Sequence, residues 1–244
     1  MTKTIIVTGA SAGIGAAVAT HMLAAGWTVG LAARRHDKLA QIAAPFGSRA
    51  VIMPLDVTDA QAVSTAFTQF ATDQGRLDVL FNNAGIFTPT APLDEIALDD
   101  WHNAVAVNLT GMFICARAAF GLMRRQSPQG GRIINNGSVS AHAPRAGAAP
   151  YTATKHAITG LTKQIALDGR TYDIACGQID IGNAETDLLR DAAQQAMARG
   201  DAPPEVMDLA HVATSVHHMA SLPPSANILF QTIMATKMPF VGRG

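Results

Sequence analysis

The chain has 244 residues, of which 48% are hydrophobic and 15% are charged, and its formal net charge at pH 7 is zero. A chain of this length can bury a core without disulfides or metal ions, and its balanced charge argues against nucleic acid as the main partner, since such binding usually needs a basic surface. The two cysteines, Cys115 and Cys176, lie in apolar segments without metal-ligand spacing, which predicts buried thiols in a reducing compartment and no metal site.

The first residues and the longest apolar runs bear on localisation. The segment MTKTIIVTGA enters a strand-like run directly, without the longer apolar core and cleavage site of a signal peptide. No stretch approaches the roughly 20 continuous apolar residues of a membrane span. We therefore expect a cytoplasmic protein that does not interact with a membrane.

Short β-rich runs alternate with longer helical patterns over most of the chain. The strand candidates are nearly continuous apolar runs, as in a sheet covered on both faces, at 4–8, 28–33, 50–55, 78–81, 132–137, 174–179 and 227–234. Helical periodicity occurs at 14–25, 59–73, 103–125 and 152–167. Because no Pro/Gly-rich linker or internal repeat divides the chain, the pattern predicts one α/β domain over residues 1–244, a doubly wound parallel sheet of about seven strands flanked by helices.

The least regular stretches lie where such a sheet would place its binding site. They are residues 86–100, 139–150 and 182–204, each of which follows a strand candidate directly or closely. In an open α/β sheet, ligands bind outside the carboxyl ends of the strands. Long loops in a compact domain are usually functional, so we expect these stretches to surround the site, with 183–204 as the substrate loop.

The segment TGASAGIG (8–15) lies between the first strand and the first helix. Its glycines, Gly9, Gly13 and Gly15, allow a tight turn, close approach of the backbone to a phosphate, and close packing of helix on strand. The helix that begins near Ile14 offers free N–H groups and a positive dipole end to a pyrophosphate. The alternative, a tight turn without a ligand, is disfavoured by the position after the first strand.

The end of the second strand bears on which dinucleotide is bound. An acidic residue there would hold the ribose hydroxyls of NAD, but this chain has Ala32, Ala33, Arg34 and Arg35. A guanidinium can form paired charge-assisted bonds to a 2′-phosphate. The sequence predicts a preference for NADP(H), with Arg34 as the main contact and Arg35 as a second one. The alternative is that one arginine stacks on adenine or faces solvent.

The segment YTATK (151–155) places a phenol one helical turn before an ammonium group. Four residues apart on a helix, Tyr151 and Lys155 share a face. Their ordinary pKa values are about 10 and about 10.4, but a nearby positive charge lowers that of tyrosine. The phenol can then exchange a proton with an alcohol or a carbonyl. Alone the pair is weak evidence, since Tyr and Lys also meet on helices by chance.

Three polar features support a site around this pair. Ser138, just past a strand candidate, can bond a substrate oxygen, and Asn108, within an otherwise apolar helix, can hold a water that links to the lysine. The segment NNAG (82–85) follows the fourth strand, where small residues let backbone approach a flat cofactor.

Taken together, the motifs resemble those of the short-chain dehydrogenase/reductase family, in its compact single-domain branch. The resemblance runs from about residue 3 to residue 190 and rests on TGASAGIG, Asp56-Val57, NNAG, Asn108, Ser138, YTATK and the spacing from Gly182 to Thr186, all in the family's order. It implies a Rossmann-type fold and hydride transfer between nicotinamide and a substrate carbon. It also implies a homodimer or homotetramer formed through the helices at about 103–125 and 152–167.

The resemblance assigns a role to each matching residue. Tyr151 is the general acid/base, Lys155 lowers its pKa and binds the nicotinamide ribose, Ser138 polarises the substrate oxygen, and Asn108 maintains a water-linked proton relay. The remaining matches bind the cofactor: Gly9, Ser11, Gly13, Ile14 and Gly15 at its phosphate and ribose, Asp56 and Val57 at adenine, Asn83, Ala84 and Gly85 along the adenine ribose region, and Gly182 and Thr186 at the carboxamide.

The chain departs from the family pattern in two places. Ile181 stands where the family usually has proline, which restores an N–H and leaves the local turn less constrained. The tail KMPFVGRG (237–244) replaces the usual ending and exposes Phe240 and Val241, which either dock on a neighbour or close a pocket, or belong to a frayed terminus.

The sequence does not identify the substrate. The segment 140–149 is rich in small residues, with His142 and Arg145 as polar exceptions. Arg145 is a candidate for binding a substrate carboxylate, although a solvated loop residue is the commoner role, and for His142 a surface position is expected.

The predicted function is an NADP(H)-dependent oxidoreductase acting on a small carbonyl or alcohol. One alternative is a non-catalytic dinucleotide sensor, which would need the glycine turn but not Ser138, Tyr151 and Lys155 together. Another is an epimerase or dehydratase, which usually needs a larger substrate domain than 244 residues allow.

Overall fold

A computed structural model describes residues 2–198 and 200–241. Its centre is a parallel sheet of seven strands in the order β3-β2-β1-β4-β5-β6-β7. The strands are β1 (Thr4–Thr8), β2 (Thr28–Ala33), β3 (Ala50–Pro54), β4 (Val79–Asn82), β5 (Gly131–Asn136), β6 (Ile174–Ile181) and β7 (Phe230–Ile233). The predicted Rossmann-type sheet is confirmed, and the order reverses between β1 and β4, which opens a crevice at their carboxyl ends.

Eight α-helices connect the strands in the described part of the chain. They are α1 (Gly13–Ala24), α2 (His36–Ala43), α3 (Ala60–Gln74), α4 (Leu98–Val105), α5 (Met112–Arg125), α6 (Ala149–Gly169), α7 (Asp187–Ala198) and α8 (Leu209–Ser221). The predicted helix at 103–125 begins five residues earlier and includes a π-helical segment, Ala106–Gly111, between α4 and α5.

The expectation of an irregular loop over 183–204 was wrong for its middle part. Helix α7 has the sequence DLLRDAAQQAMA, which is rich in Ala, Leu and Gln. These residues lose little conformational freedom in a helix. Only the segments on either side of α7 remain irregular, so a helix, and not a free loop, follows Thr186.

The core lies on both faces of the sheet because alternate strand residues point to opposite sides. Ile5 and Val7 pack with α1 and α8, whereas Ile6, between them, packs with α3 and α5. Burial on both faces explains the nearly continuous apolar runs of the strands. Both cysteines are free and buried on the second face, as predicted.

The continuous helix Leu98–Arg125 is long and apolar enough to cross a membrane by length and composition, with a mean hydropathy of 1.6 in its most apolar window. The expectation that no segment reaches this length and hydropathy was wrong. In the structure this helix packs against α3, α6 and the sheet, and one of its residues is the buried Asn108. Helices that cover the sheet of an α/β domain pass the same test.

Candidate active site

A cleft of about 690 Å³ opens at the carboxyl ends of the strands, where the strand order reverses. Predicted site residues line it from β1 to the segment before α7. They are Gly9, Ser11, Ile14, Gly15, Arg34, Arg35, Asp56, Val57, Asn83, Ala84, Gly85, Ser138, Tyr151, Lys155, Gly182 and Thr186. The structure thus brings together both proposed halves of the site, the dinucleotide contacts and the proton-transfer group.

The two remaining predicted residues, Gly13 and Asn108, support the cleft from behind. Gly13 has φ +52°, a conformation that favours glycine, and begins α1. A Cβ there would stand 3.2 Å from Cγ2 of Thr186, so Gly13 lets the glycine turn and the segment before α7 approach each other.

The glycine turn is held by close contacts with β4. Gly9 has φ +68°, and a Cβ on it would lie 2.9 Å from Nδ2 of Asn83. A Cβ on Gly15 would collide with the carbonyl oxygen of Gly9 and lie 2.7 Å from Nδ2 of Asn83. The first turn of α1 can approach the end of β1 only because Gly15 has no side chain.

Gly15→Ala is therefore expected to lower the free energy of unfolding by about 1–3 kcal/mol, because the added methyl group forces the turn open. Gly160→Ala is the matched control. Gly160 is also helical, in α6, but its Cβ would meet no atom within 4 Å. Alanine there should raise the free energy of unfolding by about 0.5–1 kcal/mol. Urea unfolding measures both, and equal effects would contradict the close packing at Gly15.

The end of the cleft beside β2 and β3 carries a carboxylate and two arginines. Oδ1 of Asp56 accepts hydrogen bonds from the backbone N and Oγ1 of Thr58, at 2.9 and 2.8 Å. The hydrogen bond from the Thr58 backbone is the main cause that lowers the pKa of Asp56, and burial partly opposes it. The Thr58 hydroxyl and the charge of Arg34 lower the pKa further, by smaller amounts. Oδ2 lies 4.0 Å from Nη1 of Arg34, whose side chain is 72% exposed.

Arg35 already has a partner within the predicted site. Its Nε and Nη2 donate to Oγ of Ser11, at 3.2 and 3.0 Å. The end of β2 and the glycine turn are thereby linked by a hydrogen bond. Arg34 keeps its guanidinium in solvent at the cleft edge, which leaves it the more accessible of the two cations for an anionic ligand.

Thr8, which sequence reasoning missed, fastens the ends of β1 and β4. Its Oγ1 accepts hydrogen bonds from the backbone N of Asn83 (2.8 Å) and of Ala84 (3.0 Å). Nδ2 of Asn83 donates to the Thr8 carbonyl at 2.8 Å, and Oδ1 of Asn83 accepts from Asn136 at 2.7 Å. The available signal was a hydroxyl residue that ends an apolar strand immediately before the glycine turn.

Asn108 is fully buried in the π-helical segment and holds the loop after β4. Its Oδ1 accepts from the backbone N of Ile86 at 2.7 Å, and its Nδ2 donates to the Ile86 carbonyl at 2.9 Å. Both amide bonds of Asn108 go to Ile86, so the side chain has a structural role here, and the water-linked relay stays a prediction.

Tyr151 and Lys155 lie in the first turns of α6, with Ser138 facing them from the end of β5. Nζ of Lys155 is 5.5 Å from the centroid of the Tyr151 ring and donates to the Asn136 carbonyl at 2.8 Å. The Phe87 ring stacks on the Tyr151 ring, with centroids 4.4 Å apart and an interplanar angle of 17°. The phenol is thus oriented by a ring contact and by a buried cation.

The pKa values of the pair are shifted mainly by burial. Burial raises the pKa of Tyr151, and a hydrogen bond with Ser138 and the charge of Arg145 partly offset this, while Asp180 adds to it. Burial lowers the pKa of Lys155 to about 8, against an opposing effect of Asp180. The sequence-based expectation of a lowered tyrosine pKa was wrong for the chain by itself, because desolvation outweighs the Ser138 hydrogen bond and the charge of Arg145.

The lowered pKa of Lys155 predicts a pH dependence of stability. Between pH 8 and the ordinary value of 10.5, the unfolded chain binds a proton that the folded chain has released. The contribution of Lys155 to the free energy of unfolding should therefore rise with pH in this window, by at most about 1.4 kcal/mol per pH unit. The raised pKa values of Cys115 and Cys176 act in the opposite direction, but they are common to the wild type and a Lys155 variant. Urea unfolding of the wild type and of Lys155→Met between about pH 8.5 and 10 measures the difference. Parallel curves for the two chains would contradict the assigned titration.

Asp180, a second residue that sequence reasoning missed, is a fully buried carboxylate behind the catalytic candidates. Its Oδ1 accepts from the Ser138 backbone N at 2.9 Å and from Nε2 of Gln178 at 2.7 Å. Its Oδ2 lies 2.8 Å from Nε2 of His142, which is exposed as expected but has this specific partner. The signal was an acidic residue in the otherwise apolar strand IACGQIDI.

The C-terminal segment packs on the loop after β6. The backbone N of Gly182 donates to the Ile233 carbonyl at 2.8 Å, and a Cβ on Gly182 would lie 2.7 Å from Cβ of Met234. Sδ of Met238 accepts from the backbone N of Asn183 at 3.3 Å. The tail therefore packs on the domain through Met238, and Val241 is 93% exposed. Residues 242–244 lie outside the described part.

Comparison with known proteins identifies the family. The sequence model of the family described as short chain dehydrogenase matches residues 3–197. The chain belongs to this family. As a short-chain dehydrogenase, it is a nicotinamide-dinucleotide-dependent oxidoreductase that acts on small molecules, and the predicted resemblance is confirmed.

Individual relatives support the assignment over most of the chain. The 3beta-hydroxysteroid dehydrogenase of Mediterraneibacter gnavus is 36% identical over 200 residues, covering 81% of this chain and 71% of that protein. The serine 3-dehydrogenase of Rhizobium radiobacter is 30% identical over 248 residues, covering 99% and 97%. The closed form of a serine dehydrogenase complexed with NADP+ superposes with a TM-score of 0.88 at 23% identity, covering 99% and 98%, which shows a common fold.

Proposed function

We propose that this short-chain dehydrogenase is an NADP(H)-dependent enzyme that interconverts a carbonyl and an alcohol, with Tyr151 as the general acid/base. One observation carries the proposal. Ser138, Tyr151 and Lys155 line the same cleft as the glycine turn and Arg34. A proton-transfer group and a dinucleotide site therefore meet in a single space.

The residues present fit a dinucleotide phosphate. A Cβ at Gly9 or Gly15 would block the turn, and the first turn of α1 offers backbone N–H groups beside it. Arg34 supplies an exposed cation at the end of β2, and Ser11 and Arg35 extend the polar edge. These contacts favour a 2′-phosphate over a free ribose hydroxyl, because no carboxylate follows β2 directly.

The chain's own groups would handle the substrate oxygen. The Ser138 hydroxyl and the Tyr151 phenol would both bond it, and the phenol would donate or accept the proton. Lys155, anchored on the Asn136 carbonyl, would bind a ribose hydroxyl and place a positive charge beside the phenol. The bound nicotinamide would supply the hydride donor or acceptor, and in its oxidised form a positive charge that offsets the burial of Tyr151.

A non-catalytic sensor is a weaker explanation of the site. It would use the glycine turn and Arg34 but would have no need for a buried lysine within 5.5 Å of a phenol ring. Keeping Lys155 buried costs free energy, since its pKa falls to about 8. Groups with such shifts cluster at catalytic sites.

A spectrophotometric screen tests the proposed function. Small ketones and aldehydes with NADPH or NADH, and alcohols with NADP+ or NAD+, are followed at the cofactor's absorbance. We expect turnover with NADPH at a kcat/KM at least about tenfold above NADH, since a charge-assisted contact is worth roughly that much. Turnover with NADH equal to or better than NADPH would contradict the coenzyme preference, and no turnover with any substrate would favour the sensor.

We further propose that the enzyme is a homodimer or homotetramer through the face formed by α3, α5 and α6. A depression of about 540 Å³ lies on this face, with apolar and cationic residues around it. Phe113 on α5 is 48% exposed, and Leu167 on α6 is 54% exposed. Light scattering of the purified protein measures the assembly, and a monomer at micromolar concentration would contradict it.

A further inference from the structure

We propose that Arg145 binds an anionic group of the substrate, so that the enzyme acts on a short hydroxy acid and the corresponding oxo acid. This inference rests on the proposed function of the cleft, since it places the substrate next to Tyr151. It assigns a ligand to a residue for which a solvated position was the expectation.

The first observation is that Arg145 lines the catalytic cleft itself. It belongs to the loop between β5 and α6 and faces the same space as Tyr151 and Ser138. Its positive charge is close enough to the phenol to lower the pKa of Tyr151. An anion bound to its guanidinium and a substrate oxygen bound to the phenol would therefore share one cleft.

The second observation is that Arg145 is not neutralised within the described part of the chain. Its Nη2 donates one hydrogen bond, to Oδ1 of Asn183 at 2.8 Å. The ion pairs among these residues involve Arg34, Arg76, Arg190, His36 and His142, and no carboxylate lies within 4 Å of Arg145. Most of its five N–H donors remain for a ligand.

The third observation is that the neighbours of Arg145 hold it in place. The Arg145 carbonyl accepts from Ala148 N at 3.2 Å, and the Gly147 carbonyl accepts from Ala91 N at 3.1 Å, which fixes the loop. Nδ2 of Asn183 donates to the Glu205 carbonyl at 3.1 Å, and this orients Oδ1 toward the guanidinium. An amide oxygen positions the arginine without cancelling its charge.

Guanidinium geometry favours a carboxylate. Its parallel N–H groups match two carboxylate oxygens, whereas a neutral ester or alcohol offers only weak acceptors. Phe87 stacks on the Tyr151 ring, is 55% exposed and lines the cleft, where it adds an apolar surface. The pocket thus suits a short carbon chain with an oxidisable alcohol near one end and a carboxylate at the other.

The test compares 2-, 3- and 4-hydroxybutanoate with their methyl esters, using the purified full-length enzyme and NADP+. The ester removes the charge but keeps the carbinol. In the wild type, we expect kcat/KM for at least one acid to exceed that for its ester by about 30-fold or more. Arg145→Gln should lower kcat/KM for that acid by about 30–100-fold and for its ester by less than about 3-fold. Arg145→Lys keeps the charge, so its kcat/KM for the acid should lie between the values of the wild type and of Arg145→Gln.

Arg190→Gln is the matched control. Arg190 lies on α7 near the same cleft, but its guanidinium already pairs with Asp187 and Glu185. Its removal should leave the ratio of acid to ester unchanged.

Four outcomes would overturn the inference. One is an equal loss for acid and ester in Arg145→Gln, which would mean that the arginine acts only through the pKa of Tyr151 or through folding. The second is a wild-type preference for every ester, and the third is no turnover of any of the six compounds. Ester oxidation that is lost in Tyr151→Phe, without preference for an acid, would overturn the anion site and leave the proposed function intact.

Discussion

Tyr151→Phe is expected to lower kcat/KM by about 10³-fold, because general acid–base catalysis typically contributes 10²–10⁴-fold. The variant loses only the phenol oxygen, so the ring keeps its stacking on Phe87. The binding constant for NADPH, measured by fluorescence titration, should change by less than about threefold. The variant removes one oxygen, and every other assigned coenzyme contact stays. The measurement requires a substrate found by the spectrophotometric screen.

Tyr172→Phe is the control, since the chain has only two tyrosines. Tyr172 packs edge-to-face on Phe120, with centroids 6.0 Å apart, and Arg124 lies 5.5 Å from its ring. It lies outside the cleft, so its variant should retain wild-type turnover. Unchanged activity in Tyr151→Phe, or an equal loss in both variants, would refute the role of Tyr151.

Arg34→Glu is expected to lower kcat/KM with NADPH by about 10²–10³-fold, through the loss of charge-assisted bonds and repulsion of the 2′-phosphate. The value with NADH should stay within about fivefold or improve, because a carboxylate after β2 can accept bonds from the ribose hydroxyls. Arg34 is suited to this test because its side chain is exposed and its contact with Asp56 is long. Removing it should therefore cost little stability.

Lys38→Glu makes the same charge change in α2, at an exposed position outside the cleft. A general electrostatic effect on coenzyme association would appear in both variants and would weaken at high salt. A specific contact would appear in Arg34→Glu alone. If both variants lost NADPH activity equally, or if Arg34→Glu lost NADH activity as strongly, the assignment of Arg34 to the 2′-phosphate would be wrong.

Much of the fold could be predicted because it follows from local patterns. Every strand candidate is a strand in the structure, including the terminal run at 227–234, of which Phe230–Ile233 forms β7. Short continuous apolar runs that alternate with helical patterns are typical of parallel strands covered on both faces. Helix α7 was not predicted because the segment 182–204 follows β6, where a substrate loop was expected, although its residues favour a helix.

The candidate site was predictable to the extent that its residues lie in short motifs. The glycine turn, NNAG and YTATK each place their residues through local backbone geometry, and all three line the cleft. Thr8 and Asp180 were missed because their partners are distant in sequence, at Asn83 for Thr8 and at His142 for Asp180. No local pattern marks a hydrogen bond between two strands or between a strand and a loop.

The sequence by itself determined the order of strands and helices, the glycine turn and the phenol–ammonium pair, because backbone preferences and helical spacing act over a few residues. Only the tertiary structure decided the electrostatics of the site. Burial raises the pKa of Tyr151, although the sequence suggested the reverse. The tertiary structure also places Arg145 at the cleft, with the Asn183 amide as its partner and no paired carboxylate among the described residues. Desolvation and charge pairing depend on which groups folding brings within a few ångströms of one another. Residues far apart in the sequence can become such neighbours, so local sequence patterns do not predict these effects.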